Sequence, residues 1–221
     1  MNASTAYLRI IFFVLSLLVV ALVLHGCGKK EGEEAKPETA QSAGAAPATI
    51  ENLKTAFAAE AKRVDWYEKF AKQAQKENLG DVAVLFNALA RSEKVHAERT
   101  AALLKSKGVD PGTPVIEAVP AGKARQYLKL ALSNENIEEG TWTGFQAKAT
   151  EEQFAEAAEH FRRSAEADAR HGRLLKRAIE QETNFARLPY MMCLECGYIV
   201  GSDKIDSCVV CKTPKEKFQK I

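Results

Sequence analysis

The sequence predicts a mainly α protein, a four-helix bundle with one long crossover, followed by a small metal domain built on four cysteines. Three observations carry this. From Ile50 to about Thr183 apolar residues recur at three and four spacing with no strand-like alternation. One proline-rich stretch interrupts that span, and "CLECGYIVGSDKIDSCVVC" places two C-x-x-C pairs near the C-terminus.

The 221 residues carry a net charge of +2, and their length suits one mid-sized domain with a small appendage. Basic residues are interleaved with acidic ones, so no one-signed stripe exists to attract phosphates, and a nucleic-acid partner is excluded.

In chain order, Ile10 to Leu24 ("IIFFVLSLLVVALVL") is an almost unbroken apolar run behind a single Arg9. A membrane span needs roughly 20 apolar residues, and this run leads directly into "LHGC", with Gly26 before Cys27. That pattern resembles a bacterial lipoprotein signal, which implies lipidation of Cys27, although His25 departs from the small residue usual there. The expected location is the cell envelope, lipid-anchored on the periplasmic side. An uncleaved N-terminal helix is the alternative anchor. Residues 28–49 are rich in Ala, Gly, Pro and charge and lack apolar periodicity, as a tether does. The predicted organisation is a signal peptide over 1–26, a tether over 27–49, the bundle over 50–184 and the cysteine domain over 188–221.

Helices are expected at about Ile50–Asn78, Val82–Lys107, Gly122–Lys148 and Thr150–Gln181, with Gly80 and Asp81 breaking the first from the second. Between the second and third lies "GVDPGTPVIEAVP", thirteen residues with three prolines. Extended, it reaches about 43 Å, close to the roughly 40 Å of a helix of that length. The loop can therefore cross the whole bundle, which gives the one-crossover, ferritin-like topology.

Each stripe is interrupted by acid or histidine. The first helix reads Leu53, Phe57, Glu60, Val64, Tyr67; the second Leu85, Leu89, Glu93, His96, Thr100, Leu103; the third Leu128, Ala131, Glu135, Glu138, Trp142, Phe145; the fourth Phe154, Phe161, Ala165, Asp168, His171, Leu175. Five carboxylates gathered in a core are costly unless paired. Two divalent ions, with one imidazole each, resolve the problem, and oxygen-rich ligation suits iron or manganese. The i, i+3 spacing in "EKVH" and "DARH" lets acid and histidine reach one dinuclear centre. His160, about three turns before His171, is expected outside that centre. Tyr67 is either packing or a hydroxyl donor to a ligand carboxylate.

There are five cysteines, Cys27 and the four at the end. Exported proteins commonly pair cysteines as disulfides, but a C-x-x-C pair makes a poor structural disulfide and a good metal knuckle. Cys193, Cys196, Cys208 and Cys211 are thus a four-thiolate site for iron or zinc.

The carboxylate bundle followed by "CLECGYI…CVVCKTPKEKF" resembles rubrerythrin from about Ala48 to the C-terminus. The resemblance implies Glu60 as first-helix ligand with companion Tyr67, Glu93 as a bridging ligand with His96, Glu135 and Glu138 from "NENIEE", and Asp168 with His171 from "ADARHGRLL". It implies two irons in the bundle and one iron in a rubredoxin-like cysteine site, with zinc the alternative there. Gly197 and Tyr198 after the first knuckle are similar to the rubredoxin turn, in which glycine lets backbone amides approach the sulfurs. The second knuckle, Cys208-Val-Val-Cys211, lacks the proline and glycine often found there. Asp168 stands where the family has Glu. The segment "EGTWTGF" runs one residue short of the family's, which leaves its usual tyrosine unassigned.

The implied activity is a peroxidase of oxidative-stress defence that reduces hydrogen peroxide to water. Catalysis would rest on Glu60, Glu93, Glu135, Glu138 and Tyr67, with His96 and Glu138 exchanging on one iron. Electrons would come from an external donor, a periplasmic cytochrome or another carrier. A head-to-tail homodimer would let the cysteine site of one chain serve the partner's bundle. The other classes are a ferroxidase that sequesters iron and a zinc-stapled, membrane-tethered interaction domain.

Overall fold

The structure, a computed structural model, describes residues 47–181 and 184–221. The leader, Cys27 and nearly all of the tether lie outside the described residues. Among the described residues no helix is long and apolar enough to cross a membrane.

Four helices make the body: α1 (Pro47–Lys76), α2 (Gly80–Ser106), α3 (Ala124–Glu151) and α4 (Ala155–Gln181). The break between α1 and α2 falls at Asn78, which takes a left-handed φ of 60°. Gly80, the expected breaker, is the first residue of α2 instead. Asparagine tolerates the left-handed region and closes a helix as glycine does. The α3–α4 boundary also differs from expectation: α3 runs on to Glu151, Gln153 adopts a φ of 58°, and the Phe154 amide donates to the Ala149 carbonyl at 2.8 Å. No glycine or proline announces that turn.

The α3 start lies beside the α1 end, where the Ala124 amide donates to the Glu77 carboxylate at 3.1 Å. At the opposite end the Thr49 amide donates to Glu152 Oε2 at 2.9 Å. α3 is therefore antiparallel to α1, and since the short connection also makes α2 antiparallel to α1, α2 and α3 run parallel. The connection between them spans the bundle, and on the way the Trp66 indole holds it by donating to the Glu117 carbonyl at 2.9 Å.

Two apolar clusters fill the interior. One holds Phe70, Leu85, Phe86, Leu89, Leu128 and Leu174. The other holds Leu53, Leu104, Trp142, Phe154 and Phe161. Glu60, Arg63, Glu93, Glu135, Asp168 and His171 form the buried polar layer of the same bundle. Most stripe positions are buried, but Arg63 replaces Val64 as the buried residue of α1, and Leu104 replaces Leu103 on α2.

The cysteine domain is a three-stranded antiparallel sheet of order β2–β1–β3, with β1 Met191–Cys193, β2 Ile199–Val200 and β3 Phe218–Lys220. Met192 faces Ile199 on one side and Gln219 on the other. Tyr190, Met192 and Ile199 belong to the same apolar cluster as Phe70 and Leu89, so this small sheet is seated on its own bundle.

Candidate metal centres

Helical spacing places the acids. Glu60, Arg63 and Tyr67 share one face of α1, as do Glu93, His96 and Thr100 on α2, Glu135, Glu138 and Trp142 on α3, and Asp168 and His171 on α4. The structure brings one ligand atom each of Glu93, Glu135, Asp168 and His171 within 4.8 Å of one another, all buried. His171 Nδ1 stands 3.2 Å from both Glu93 Oε1 and Glu135 Oε2, and 3.6 Å from Asp168 Oδ1.

The other expected ligands surround this set. His96 Nδ1 is 3.5 Å from Glu93 Oε2 and 3.8 Å from Asp168 Oδ1. Glu138 pairs with the Arg63 guanidinium. Glu60 accepts a 2.7 Å hydrogen bond from the Thr100 hydroxyl, and His160 Nε2 lies 3.8 Å from its other oxygen. His160 is thus outside the four-residue cluster but coupled to Glu60 through Thr100, 2.7 Å away. Tyr67 donates to Glu135 Oε1 at 2.5 Å, which makes it a hydroxyl donor to a site carboxylate.

The histidine tautomers follow from their partners. Ser92 gives its one hydroxyl proton to the Gly197 carbonyl at 2.7 Å, so His171 Nε2, 2.9 Å from Ser92 Oγ, is the donor of that pair. His96 Nε2 likewise donates to the Cys196 carbonyl at 3.1 Å. Both rings thereby turn Nδ1 toward the carboxylates, the arrangement in which an outer hydrogen bond fixes a metal-binding imidazole.

The charge balance calls for cations. Glu93 Oε1 and Oε2, Asp168 Oδ1, Glu138 Oε2, Glu60 Oε1 and His96 Nδ1 are buried without a hydrogen-bond partner. Orphaned carboxylate oxygens are expensive in low dielectric. Burial, then Glu93 and Glu135, push the Asp168 carboxyl up to about 8. Burial works against a charged His171, but Glu135 and Glu93 outweigh it and raise its pKa to about 10. Oxygen donors with imidazole at this spacing fit hard divalent ions such as iron or manganese.

The second centre is local. Cys193 and Cys211 sulfurs are 3.6 Å apart, as are those of Cys196 and Cys208. A disulfide needs about 2.05 Å, whereas four thiolates at about 2.3 Å from a tetrahedral ion stand roughly 3.8 Å apart. The amides of Glu195 and Cys196 hydrogen-bond Cys193, that of Tyr198 bonds Cys196, and those of Val210 and Cys211 bond Cys208. The knuckles are alike: Gly197 and Lys212, each directly after a second cysteine, have φ of 74° and 63°. Gly197 is needed on a further count, because a Cβ there would meet His96 Nε2 at 2.7 Å and Ser92 Oγ at 2.9 Å.

The rubrerythrin family profile matches residues 51–179. The chain belongs to the rubrerythrin family. A rubrerythrin of Porphyromonas gingivalis is 33% identical over 181 residues, covering 77% of this chain and 88% of that protein. A nigerythrin of Nitratidesulfovibrio vulgaris is 30% identical over 183 residues, 81% of this chain and 89% of the relative. A nigerythrin structure in the all-ferrous state superposes with a TM-score of 0.73 at 28% identity, covering 83% of this chain and 91% of the other. A bacterioferritin of Mycobacterium tuberculosis, 17% identical, shares the fold at a TM-score of 0.58 over 61% of this chain and 86% of its own. The family comprises di-iron oxidoreductases of oxidative-stress defence, and this chain carries the Glu, Asp, His and Cys residues that match the rubrerythrin-type iron cofactors.

Four further residues shape the rubrerythrin-type site. Trp142 donates its indole N–H to Asp168 Oδ2 at 2.6 Å, so "EGTWTGF" supplies an aromatic donor to a site acid. Ser92 and Thr100 orient His171 and Glu60. Arg63, wholly buried, lies between Glu93, at 2.8 Å, and Glu138. Its sequence signal is its position, three residues after Glu60 and four before Tyr67, on the face that points inward. The cysteine site also lies against the bundle of its own chain, where the resemblance implied a partner's. The apolar seat of Tyr190, Met192 and Ile199 is what holds it there.

Proposed function

We propose that the chain is a peroxidase that reduces hydrogen peroxide to water at the bundle site, with electrons relayed through the four-cysteine site. The observation that carries this reading is the direct hydrogen bonding between the two centres. The Cys196 carbonyl accepts from His96, and the Gly197 carbonyl accepts from Ser92, which accepts from His171. Each peroxide reduced consumes two electrons and two protons and yields two waters. Iron bound in the two sites would supply the electrons and, in the bundle, Lewis acidity.

The chain's own residues supply orientation and protons. Tyr67 and Trp142 hold Glu135 and Asp168 in place by donated hydrogen bonds. A cleft of about 470 Å³, lined by His96, Arg99, His160, Arg163 and Cys196, opens onto this end of the bundle. From it a hydrogen-bonded run of His160, Thr100 and Glu60 leads inward and can pass a proton at each step.

The location is proposed from the leader's resemblance to a lipoprotein signal, and the donor from that location. The protein is anchored by lipid on Cys27 at the periplasmic side of the cell envelope, and a periplasmic or membrane carrier such as a cytochrome reduces the cysteine site. Loss of fatty-acid labelling in Cys27→Ala tests the anchor. A homodimer is proposed on the resemblance alone, and sedimentation velocity tests it.

The deciding experiment is metal content and visible spectrum before and after one equivalent of peroxide. About three irons per chain, an iron-thiolate colour and rapid ferrous oxidation support the peroxidase. A single zinc and an inert bundle sink it. Cys208→Ser should keep single-turnover peroxide reduction and lose multiple turnover; normal cycling in that variant removes the relay.

A further inference from the structure

Arg63 has no place in the ligand set, yet it stands inside it. It is 0% exposed, with Nη2 2.8 Å from Glu93 Oε2 and 3.9 Å from Asp168 Oδ2, and Nη1 against Glu138 Oε2. A guanidinium carries five N–H donors, and a buried one is normally hydrogen-bonded through them. Here Nε, Nη1 and Nη2 all lack an aligned hydrogen bond. What retains the group is charge. Burial opposes its ionisation, and Glu93, then Asp168 and Glu135, more than offset that. Behind it, the Trp142 ring lies 5.7 Å from the guanidinium carbon, and the same indole donates to Asp168.

The acids fall into two groups about this cation. Glu93, Glu135, Asp168 and His171 converge within 4.8 Å and form a complete four-ligand pocket. Glu138 faces Arg63 rather than that pocket, and Glu60 is turned to Thr100. Glu93 serves both sides, through Oε1 toward His171 and Oε2 toward Arg63.

We propose that Arg63 is a resident counter-cation at the second metal position, so that the bundle loads in two unequal steps. The first ion takes Glu93, Glu135, Asp168 and His171. The second binds only as the guanidinium withdraws from Glu93 and Glu138. This rests on reading the bundle as a metal centre. The physical ground is that a divalent ion and a guanidinium a few ångströms apart in low dielectric repel strongly, and that a charge contact without hydrogen-bond alignment yields more readily than a forked, bidentate one.

The test is a manganese(II) titration of the full chain, its four-cysteine site already filled with zinc, followed by the electron paramagnetic resonance of free manganese. Manganese prefers oxygen donors and leaves the thiolates alone. The expected wild-type isotherm has two bundle steps at least about tenfold apart in affinity. Arg63→Met is expected to strengthen the second step until the two lie within about threefold. It should also lower the melting temperature of the bundle without manganese more than that of the two-manganese form. Two equal steps in the wild type, or an unchanged separation in Arg63→Met, overturn the inference and leave the metal centre standing. No manganese in the bundle overturns both. If Arg63→Met does not fold without manganese, the wild-type isotherm decides by itself.

Discussion

The two centres solve one problem, holding charge inside a protein, in opposite ways. The cysteine site is assembled from two short turns of one segment, with sulfurs preset near metal spacing and amides aimed at them. The bundle site draws its four clustered ligands from three helices, α2, α3 and α4, and the same layer carries more acid than one cation can balance, with Arg63 already among the carboxylates. Local backbone geometry makes the first site rigid and self-contained. The second depends on the packing of four helices and on outer donors, Tyr67, Trp142, Ser92 and Thr100, each tuning one ligand or its partner. Hydrogen bonds from His96 and Ser92 to backbone carbonyls of the first knuckle join the two.

The largest effect is expected from Cys208→Ser. Metal at a structural thiolate site contributes about 10–16 kcal/mol, so metal analysis should show the cysteine site emptied, and hydrogen exchange should show β1–β3 unprotected. The bundle should keep its metal and its protection. The reverse change, Glu93→Ala, should empty the bundle and spare the cysteine site. Removing one partner from its buried charge network should also cost about 3–5 kcal/mol of stability in the metal-free chain, read from a denaturant midpoint. Trp142→Phe keeps the ring and deletes the donor to Asp168, and bundle metal affinity should fall about 10–100-fold with the cysteine site unaffected.

The two sites should also differ in how the bundle responds to pH. Asp168, at about 8, and His171, at about 10, hold protons at pH 7 in the metal-free bundle. Ligands bind metal deprotonated. Manganese uptake at pH 7 should therefore release protons, and affinity should rise as pH climbs through about 8. Calorimetry in buffers of different ionisation enthalpy reads the number released, and buffer-independent heats would contradict both assignments. The smallest effect belongs to the second knuckle. Lys212 sits at a φ of 63°, a conformation costly for a residue with a Cβ. Lys212→Gly should raise cysteine-domain stability by up to about 1 kcal/mol, after the added freedom of the unfolded chain is set against the relieved strain.

The class of fold was legible because helical periodicity and a crossover-length loop are one-dimensional facts. Most positions of the apolar stripes are buried, and "GVDPGTPVIEAVP" was long enough to make α2 and α3 parallel. The helix ends were less legible, since Asn78 turns the chain where Gly80 was expected to, and Gln153 turns it a few residues past the break expected near Ala149. Of the bundle residues, the acids and histidines stood out by type, and their grouping did not.

The chemistry present can be read along the chain: carboxylates and imidazoles on four inward faces, and two cysteine knuckles whose spacing admits a single ion. How the members divide depends on the packing of the four helices. That packing put Glu93, Glu135, Asp168 and His171 in one pocket, turned Glu60 toward Thr100 and His160, set Arg63 between Glu93 and Glu138, and laid the first knuckle on His96 and Ser92. The physical reason is range. Turn chemistry and helical phase act over a few residues and are written in them, whereas the distance between charges on different helices is set by how the whole core packs.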